Sequence, residues 1–159
     1  MLEIVPAFAY KEEVKALFTE YTKMLVAGDS AFQEYLNIQN YDEEIAHLEH
    51  KYGEPAGRLY LARWNGETAG CIGLRRIDEE ACEMKRLYVY PAFRGRHIAE
   101  ALTARIIDDA RAIGYRSMLL DTLPFLQGAL ALYKKLGFYE IGCYNDSPMA
   151  TSIYMKLDL

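Results

Sequence analysis

The chain has 159 residues, 52% of them hydrophobic and 26% charged, enough for one domain that buries about two-thirds of its unfolded surface. No apolar run approaches the roughly 20 residues of a membrane helix. The start Met1-Leu2-Glu3-Ile4-Val5-Pro6 lacks the basic and apolar stretches of an export signal, so the expected location is the cytoplasm. A net charge of −5 argues against general nucleic-acid binding, which wants a basic domain.

Leu2–Pro6 reads as a short strand. Val14, Leu17, Phe18, Tyr21 and Leu25 recur at helical spacing, which predicts a helix over about 9–27, ended near Gly28. Asp42 suits an N-cap, and Ile45, Leu48 and Tyr52 mark a second amphipathic helix that stops at Gly53. His47 and His50 stand one turn apart on it, but no third ligand is evident nearby in sequence, so no metal is expected.

Arg58–Trp64 is a strand, and Asn65-Gly66 is the strongest short hairpin signal in the chain. Residues 67–77 form its partner. Asp78-Glu79-Glu80 makes a second turn into a strand over 82–90, completing an antiparallel meander. The period then changes. Ile98, Leu102, Ile106 and Ile113 mark a helix ending at Gly114, and a short strand follows at 118–121. Ala129, Leu132, Tyr133 and Leu136 mark a helix ending at Gly137, and 138–144 and 151–157 are closing strands. The strand–helix–strand unit from 83 to 121 demands a parallel pair with a right-handed crossover. The sheet is therefore mixed: antiparallel, then parallel, then antiparallel. With no repeat, low-complexity segment or long linker, residues 1–159 are expected to form one domain. Cys71, Cys82 and Cys143, an odd set without CxxC, read as small apolar fillers, not as a disulfide framework or zinc site.

The charge is uneven. Residues 1–54 carry four Lys and eleven Asp or Glu, whereas residues 55–159 are net +2. The basic excess includes Lys85, Arg86, Arg94, Arg96, Arg105, Arg111 and Arg116, which suggests a local anion site on an acidic protein. Its centre is Arg94-Gly95-Arg96-His97-Ile98-Ala99, lying between Leu87-Tyr88-Val89-Tyr90-Pro91 and a helix start. The first N–H groups of a helix lack intrahelical partners and carry the positive end of its dipole. Gly95 lets the backbone come close to a ligand, and the arginines add forked donors. This segment can hold a pyrophosphate.

Together, Glu83-Met84-Lys85-Arg86-Leu87-Tyr88-Val89-Tyr90-Pro91 running into that loop, the segment Ala129-Leu130-Ala131-Leu132-Tyr133-Lys134-Lys135-Leu136-Gly137-Phe138, and the order of elements resemble the GNAT superfamily of acetyl-CoA-dependent N-acetyltransferases. The resemblance covers essentially the whole chain. It implies a mixed α/β fold with a central sheet of about seven strands, antiparallel and parallel, flanked by about four helices. It implies acetyl-CoA as co-substrate and no metal. The partners it implies are acetyl-CoA and a small-molecule amine or a peptide or protein amine, without nucleic acid or membrane, and it is compatible with a homodimer. The pyrophosphate would sit on the amides of residues 95–99. The pantetheine arm would add to the edge of the strand at Leu87, Tyr88 and Val89, where an N–H would also stabilise the oxyanion. At the loop's usual second Gly stands His97, whose side chain would crowd the phosphates, donate to them, or simply face solvent at the helix start.

The reaction needs a base for the amine and an acid for the departing thiolate. Glu83 is the expected base, directed at the cleft if Leu87 and Val89 share its face; a solvent-facing or ion-paired Glu is the alternative. Tyr133 falls where the family places its general acid, and core packing of its ring is compatible with that role. Asp121, at the end of the parallel strand, would bind a cationic substrate or support the site, or else serve as a cap or turn residue. Tyr144-Asn145-Asp146-Ser147-Pro148 would contact the acceptor or form a plain turn. No cysteine stands at a motif position that suggests an acetyl-cysteine intermediate. The expected activity is direct transfer to a primary amine. A transferase for another acyl-CoA, or a non-catalytic acyl-CoA sensor, is the alternative.

Overall fold

A computed structural model describes residues 1–38, 40–147 and 149–159. The strands are β1 (Leu2–Pro6), β2 (Arg58–Trp64), β3 (Glu67–Arg76), β4 (Ala81–Val89), β5 (Ser117–Thr122), β6 (Tyr139–Ile141) and β7 (Ile153–Asp158). They form one seven-stranded sheet in the order β1-β2-β3-β4-β5-β7-β6. Only the β4–β5 pair is parallel among them, as the crossover through the helix at Ile98–Ile113 requires. The β2–β3 hairpin turns at Asn65 and Gly66, with φ of 49° and 85°, the double left-handed geometry whose twist matches that of the strands.

Six α-helices flank the sheet among the described residues: α1 (Lys11–Gly28), α2 (Phe32–Ile38), α3 (Tyr41–Ala46), α4 (Leu48–Tyr52), α5 (Ile98–Ile113) and α6 (Gln127–Leu136). Two depart from the expected four. Helix α2 is too short for its period to show in sequence; it forms because Phe32, Tyr35 and Leu36 bury against Leu25, Leu123 and Met149. The single helix expected from Asp42 is two, α3 and α4, broken at His47 (φ −136°, ψ 65°), and Asn40, not Asp42, stands at the N-terminal cap. Strand β6 is also shorter than expected, because residues 142–147 leave the sheet edge to make polar contacts at the site.

The two faces of the sheet carry separate cores. On one, Ile98, Leu102 and Ile106 of α5, with Leu130 and Tyr133 of α6, pack on Ile72, Leu74, Met84 and Leu120. On the other, Val14, Leu17 and Phe18 of α1, with Leu48 and Tyr52 of α4, pack on Leu59, Leu61, Cys71 and Tyr88. Each fully buried side chain of this size contributes roughly 1.5–3 kcal/mol. Gly73 makes room for one of them: a Cβ there would stand 2.7 Å from the Tyr52 ring. No described helix is long and apolar enough to cross a membrane.

Candidate active site

The parallel pair is short. Ala81, Cys82 and Glu83 of β4 pair with Ser117, Met118 and Leu119 of β5, and beyond them the strands part. Leu120, Asp121 and Thr122 continue in register with β7, while β4 runs on beside β3. The wedge between the strands is lined by Met84, Leu87, Asp121, Tyr21 and Tyr133. It continues as a channel past Val89, Arg94, Ala99 and Leu132. A strand edge facing such a channel can hydrogen-bond an extended ligand.

Strand β4 carries a bulge. Cys71 faces Tyr88 and Gly73 faces Lys85, so β4 spends three steps where β3 spends two, and Arg86 takes the left-handed φ of 60°. The extra residue reverses the alternation of faces. Glu83, Lys85 and Tyr88 therefore lie on the face of α1 and α4, whereas Met84, Leu87 and Val89 lie with α5 and α6. The expectation that Glu83 shares a face with Leu87 and Val89 is overturned by this one residue.

Arg86 is held by Glu44, on α3. Its Nε donates to Oε2 at 2.8 Å and its Nη2 to Oε1 at 3.0 Å. Glu44 also accepts from the Tyr52 hydroxyl at 2.9 Å and the Lys51 ammonium at 2.6 Å. Burial would raise the Glu44 carboxyl, but Arg86 and Lys51 outweigh it and hold the group far below the carboxylate range. The bulge carbonyl of Arg86 accepts a bond from the Cys71 thiol at 3.2 Å. No sequence pattern links Glu44 to Arg86, and this cluster was not foreseen.

Glu83 is buried and well partnered. Its Oε1 accepts from Arg75 Nε at 2.7 Å and lies 3.7 Å from Lys85 Nζ; its Oε2 accepts from the Tyr144 hydroxyl at 2.5 Å. Burial would raise its pKa, but Lys85, Arg75 and the Tyr144 bond prevail and lower it. Asp121 accepts from the Tyr35 hydroxyl and, at 3.0 Å, from Asn145 Nδ2, which also donates to the Tyr35 oxygen at 2.8 Å. Thus Asp121, Tyr144 and Asn145 gather at one end of the wedge, with Tyr35 as a partner the sequence did not reveal. Pro148 of the expected acceptor loop lies outside the described residues.

Tyr133 faces the wedge from α6. Its ring packs against Phe138 (centroids 5.7 Å apart), and burial holds its phenol well above the ordinary value. The hydroxyl is therefore protonated, not a phenolate, at neutral pH.

At the loop, Gly95 (φ 81°) and His97 (φ 59°) both take the left-handed conformation, which turns the chain into α5. Val89, Gly95, His97, Ile98 and Ala99 line a groove with Lys135 of α6. Arg94 folds back, its Nε donating to the Val89 carbonyl at 3.2 Å. The His97 imidazole faces Glu100 (Nδ1 to Oε2, 3.0 Å) and is largely exposed. The other basic residues do not join this site. Arg96 lies over Trp64 (5.1 Å), Lys85 and Arg86 belong to the buried cluster, and Arg105, Arg111 and Arg116 pair with Asp109, Asp108 and Glu80. Proximity in sequence overstated the charge at the loop, because alternating positions on a strand or helix point different ways.

The His47 and His50 rings stack at 4.9 Å, and Glu49 supplies a third possible donor, all three ligand atoms lying within 4.8 Å of one another. Glu49 is a donor that the spacing of the two histidines alone does not show. All three residues are exposed.

Residues 17–138 match the acetyltransferase (GNAT) family. An uncharacterised N-acetyltransferase of Schizosaccharomyces pombe is 39% identical over 142 residues, 86% of each chain. A GNAT-family acetyltransferase from Staphylococcus aureus Mu50 superposes with a TM-score of 0.77 at 21% identity, over 99% of each chain. A GNAT-family acetyltransferase from Elizabethkingia anophelis, solved with acetyl-CoA bound, superposes with a TM-score of 0.57 at 27% identity, over 65% of this chain and 77% of that one. The chain belongs to the GNAT family and is an enzyme of the N-acetyltransferase class.

Proposed function

We propose that the protein transfers the acetyl group of acetyl-CoA to a primary amine, directly and in a ternary complex. One observation carries this reading: the stretch of the β4 edge at Leu87, beyond its pairing with β5, and the Tyr133 side chain open into the same wedge, so a backbone N–H that can donate to the thioester oxygen and a hydroxyl that can give a proton converge there. The relative with acetyl-CoA bound supports the choice of co-substrate. The parts match its shape: a groove at a helix start for the pyrophosphate, on the amides of Gly95 to Ala99, and an extended channel beside Leu87, Tyr88 and Val89 for the pantetheine arm.

In the transfer, the amine nitrogen bonds to the acetyl carbon and the carbon–sulfur bond breaks. An N–H at Leu87 stabilises the oxyanion. The Tyr133 hydroxyl gives its proton to the departing thiolate. Glu83 draws the amine's proton from the α1–α4 side of the sheet, and its three partners keep it ionised. Asp121, Tyr144 and Asn145 shape the acceptor end. Burial pushes the thiols of Cys71 and Cys82 up to about 12, so neither serves as an acetyl carrier at neutral pH.

The test is a screen of amine classes that follows release of free CoA thiol, paired with a thermal shift on CoA. Binding with turnover supports transfer. Binding without turnover of any amine identifies an acyl-CoA sensor instead.

A further inference from the structure

The joint between α3 and α4 gathers side chains that acetyl transfer does not use. His47 stands at the break, with φ −136° and ψ 65°, outside the helical region. In a regular helix, residues 47 and 49 would stand about 200° apart around the axis, and their side chains would diverge. The break lifts that restriction. One ligand atom from each of His47, Glu49 and His50 comes within 4.8 Å of the other two. The two imidazole rings lie nearly parallel, with 13° between their planes. A further donor is close: Glu43 Oε1, one turn earlier on α3, lies 4.0 Å from His47 Nε2.

Two imidazoles and a carboxylate suit zinc, copper or nickel, whereas magnesium and calcium take oxygen ligands. Around one zinc ion, donors at about 2.0–2.2 Å from the metal stand roughly 3.3 Å from one another. Exposed side chains on one short segment can close the remaining gap by rotation about their χ angles, without any movement of the sheet. Two contacts compete with an ion: Glu49 with Lys11 at 3.6 Å, and His47 with Glu43. Both are exposed pairs, which contribute little, so neither holds the donors away from a metal.

We propose that His47, Glu49 and His50 form a binding site for a transition-metal ion of the zinc class, with Glu43 or water completing its shell. An ion held there fixes the junction of α3 with α4. Helix α3 carries Glu44, the partner of Arg86, so the ion steadies the helix that supports the β4 bulge. None of the three ligands lines the β4–β5 wedge, and the site is independent of acetyl transfer.

The test is a calorimetric titration of Zn²⁺ into protein that carries no affinity tag and has been stripped with a chelator. One saturable site per chain is expected, with a raised melting temperature, because the ion binds the native state. His47→Gln, His50→Gln and Glu49→Gln should each weaken binding about tenfold or more, since the loss of even an outer partner of a metal ligand costs that much. Without metal, these variants should melt where the metal-free parent melts, which shows that they are folded. Excess Mg²⁺ should not displace the zinc. Cys143 is an exposed thiol, and Cys143→Ser should leave the affinity unchanged. Absence of saturable binding overturns the proposal, as does displacement by Mg²⁺. Affinity kept in the His47→Gln/His50→Gln double variant, or lost in Cys143→Ser, also overturns it, because the ion is then bound elsewhere.

Discussion

Arg86 and Glu44 lie 42 residues apart in sequence and meet in a two-pronged ion pair, with both side chains nearly excluded from solvent. Arg86 is also the residue whose left-handed backbone makes the β4 bulge. A left-handed conformation costs a non-glycine residue on the order of 1 kcal/mol, and the pair offsets that cost. The pair thereby links helix α3 to the point where β4 turns Leu87 toward the wedge.

Glu44→Gln should therefore destabilise the protein by about 3–5 kcal/mol, because it leaves the Arg86 charge buried with its main partner weakened. Urea unfolding measures this directly. If the variant loses less than about 1 kcal/mol, the pair does not hold the bulge.

Tyr133→Phe should slow turnover on the order of 10²-fold while the thermal shift on CoA is retained. The change deletes one hydroxyl from a ring that still packs on Phe138. Unchanged turnover would reduce Tyr133 to a core residue.

Lys85 gives a pH prediction. Burial, helped by Arg86 and Lys51 and opposed by Glu83 and Asp121, lowers its pKa to about 7, against about 10.4 in the unfolded chain. Below pH 7 both states hold the proton and the folded state bears the cost of a buried charge. Between about pH 7 and 10 the unfolded state binds more protons, so stability rises with pH. The parent should gain on the order of 1 kcal/mol per pH unit relative to Lys85→Met over pH 7–9, read from urea unfolding at each pH. Parallel curves for the two proteins would mean that Lys85 does not titrate there.

His97→Gly should leave stability unchanged or raise it by up to about 1 kcal/mol, since glycine takes the left-handed φ without the steric cost. The exposed contact with Glu100 that it loses is worth little. The CoA-induced thermal shift should remain at pH 6 and pH 8, because the imidazole faces Glu100 and the proposed phosphate donors are the loop amides. A shift abolished at either pH would show that the ring itself contacts the phosphates.

Much of the frame is legible in the residues. Asn65-Gly66 specifies the hairpin, Gly114 and Gly137 stop α5 and α6, and the change of period after Pro91 announces the parallel crossover. The loop at Arg94 to Ala99 is marked by its Gly and arginines before a helix start, whereas Tyr133 is singled out only by the family resemblance. All but the last depend on interactions among residues close in sequence, so a local reading recovers them.

Only the tertiary structure decided the rest. The bulge at Arg86 exists relative to β3, and it reversed the face of Glu83. The partner of Arg86 comes from a helix whose boundaries depend on packing. Helix α2 folds because Leu25, Leu123 and Met149 are waiting for it, and it brings Tyr35 to Asp121. The wedge appears where β5 leaves β4 to follow β7. Sequence determined most of the elements and the place of the parallel pair, because turn chemistry and periodicity act over a few residues, and its motifs carried the family resemblance. Register, the faces of the site residues and the buried charge balance were set in three dimensions, because each is a property of two or more segments meeting.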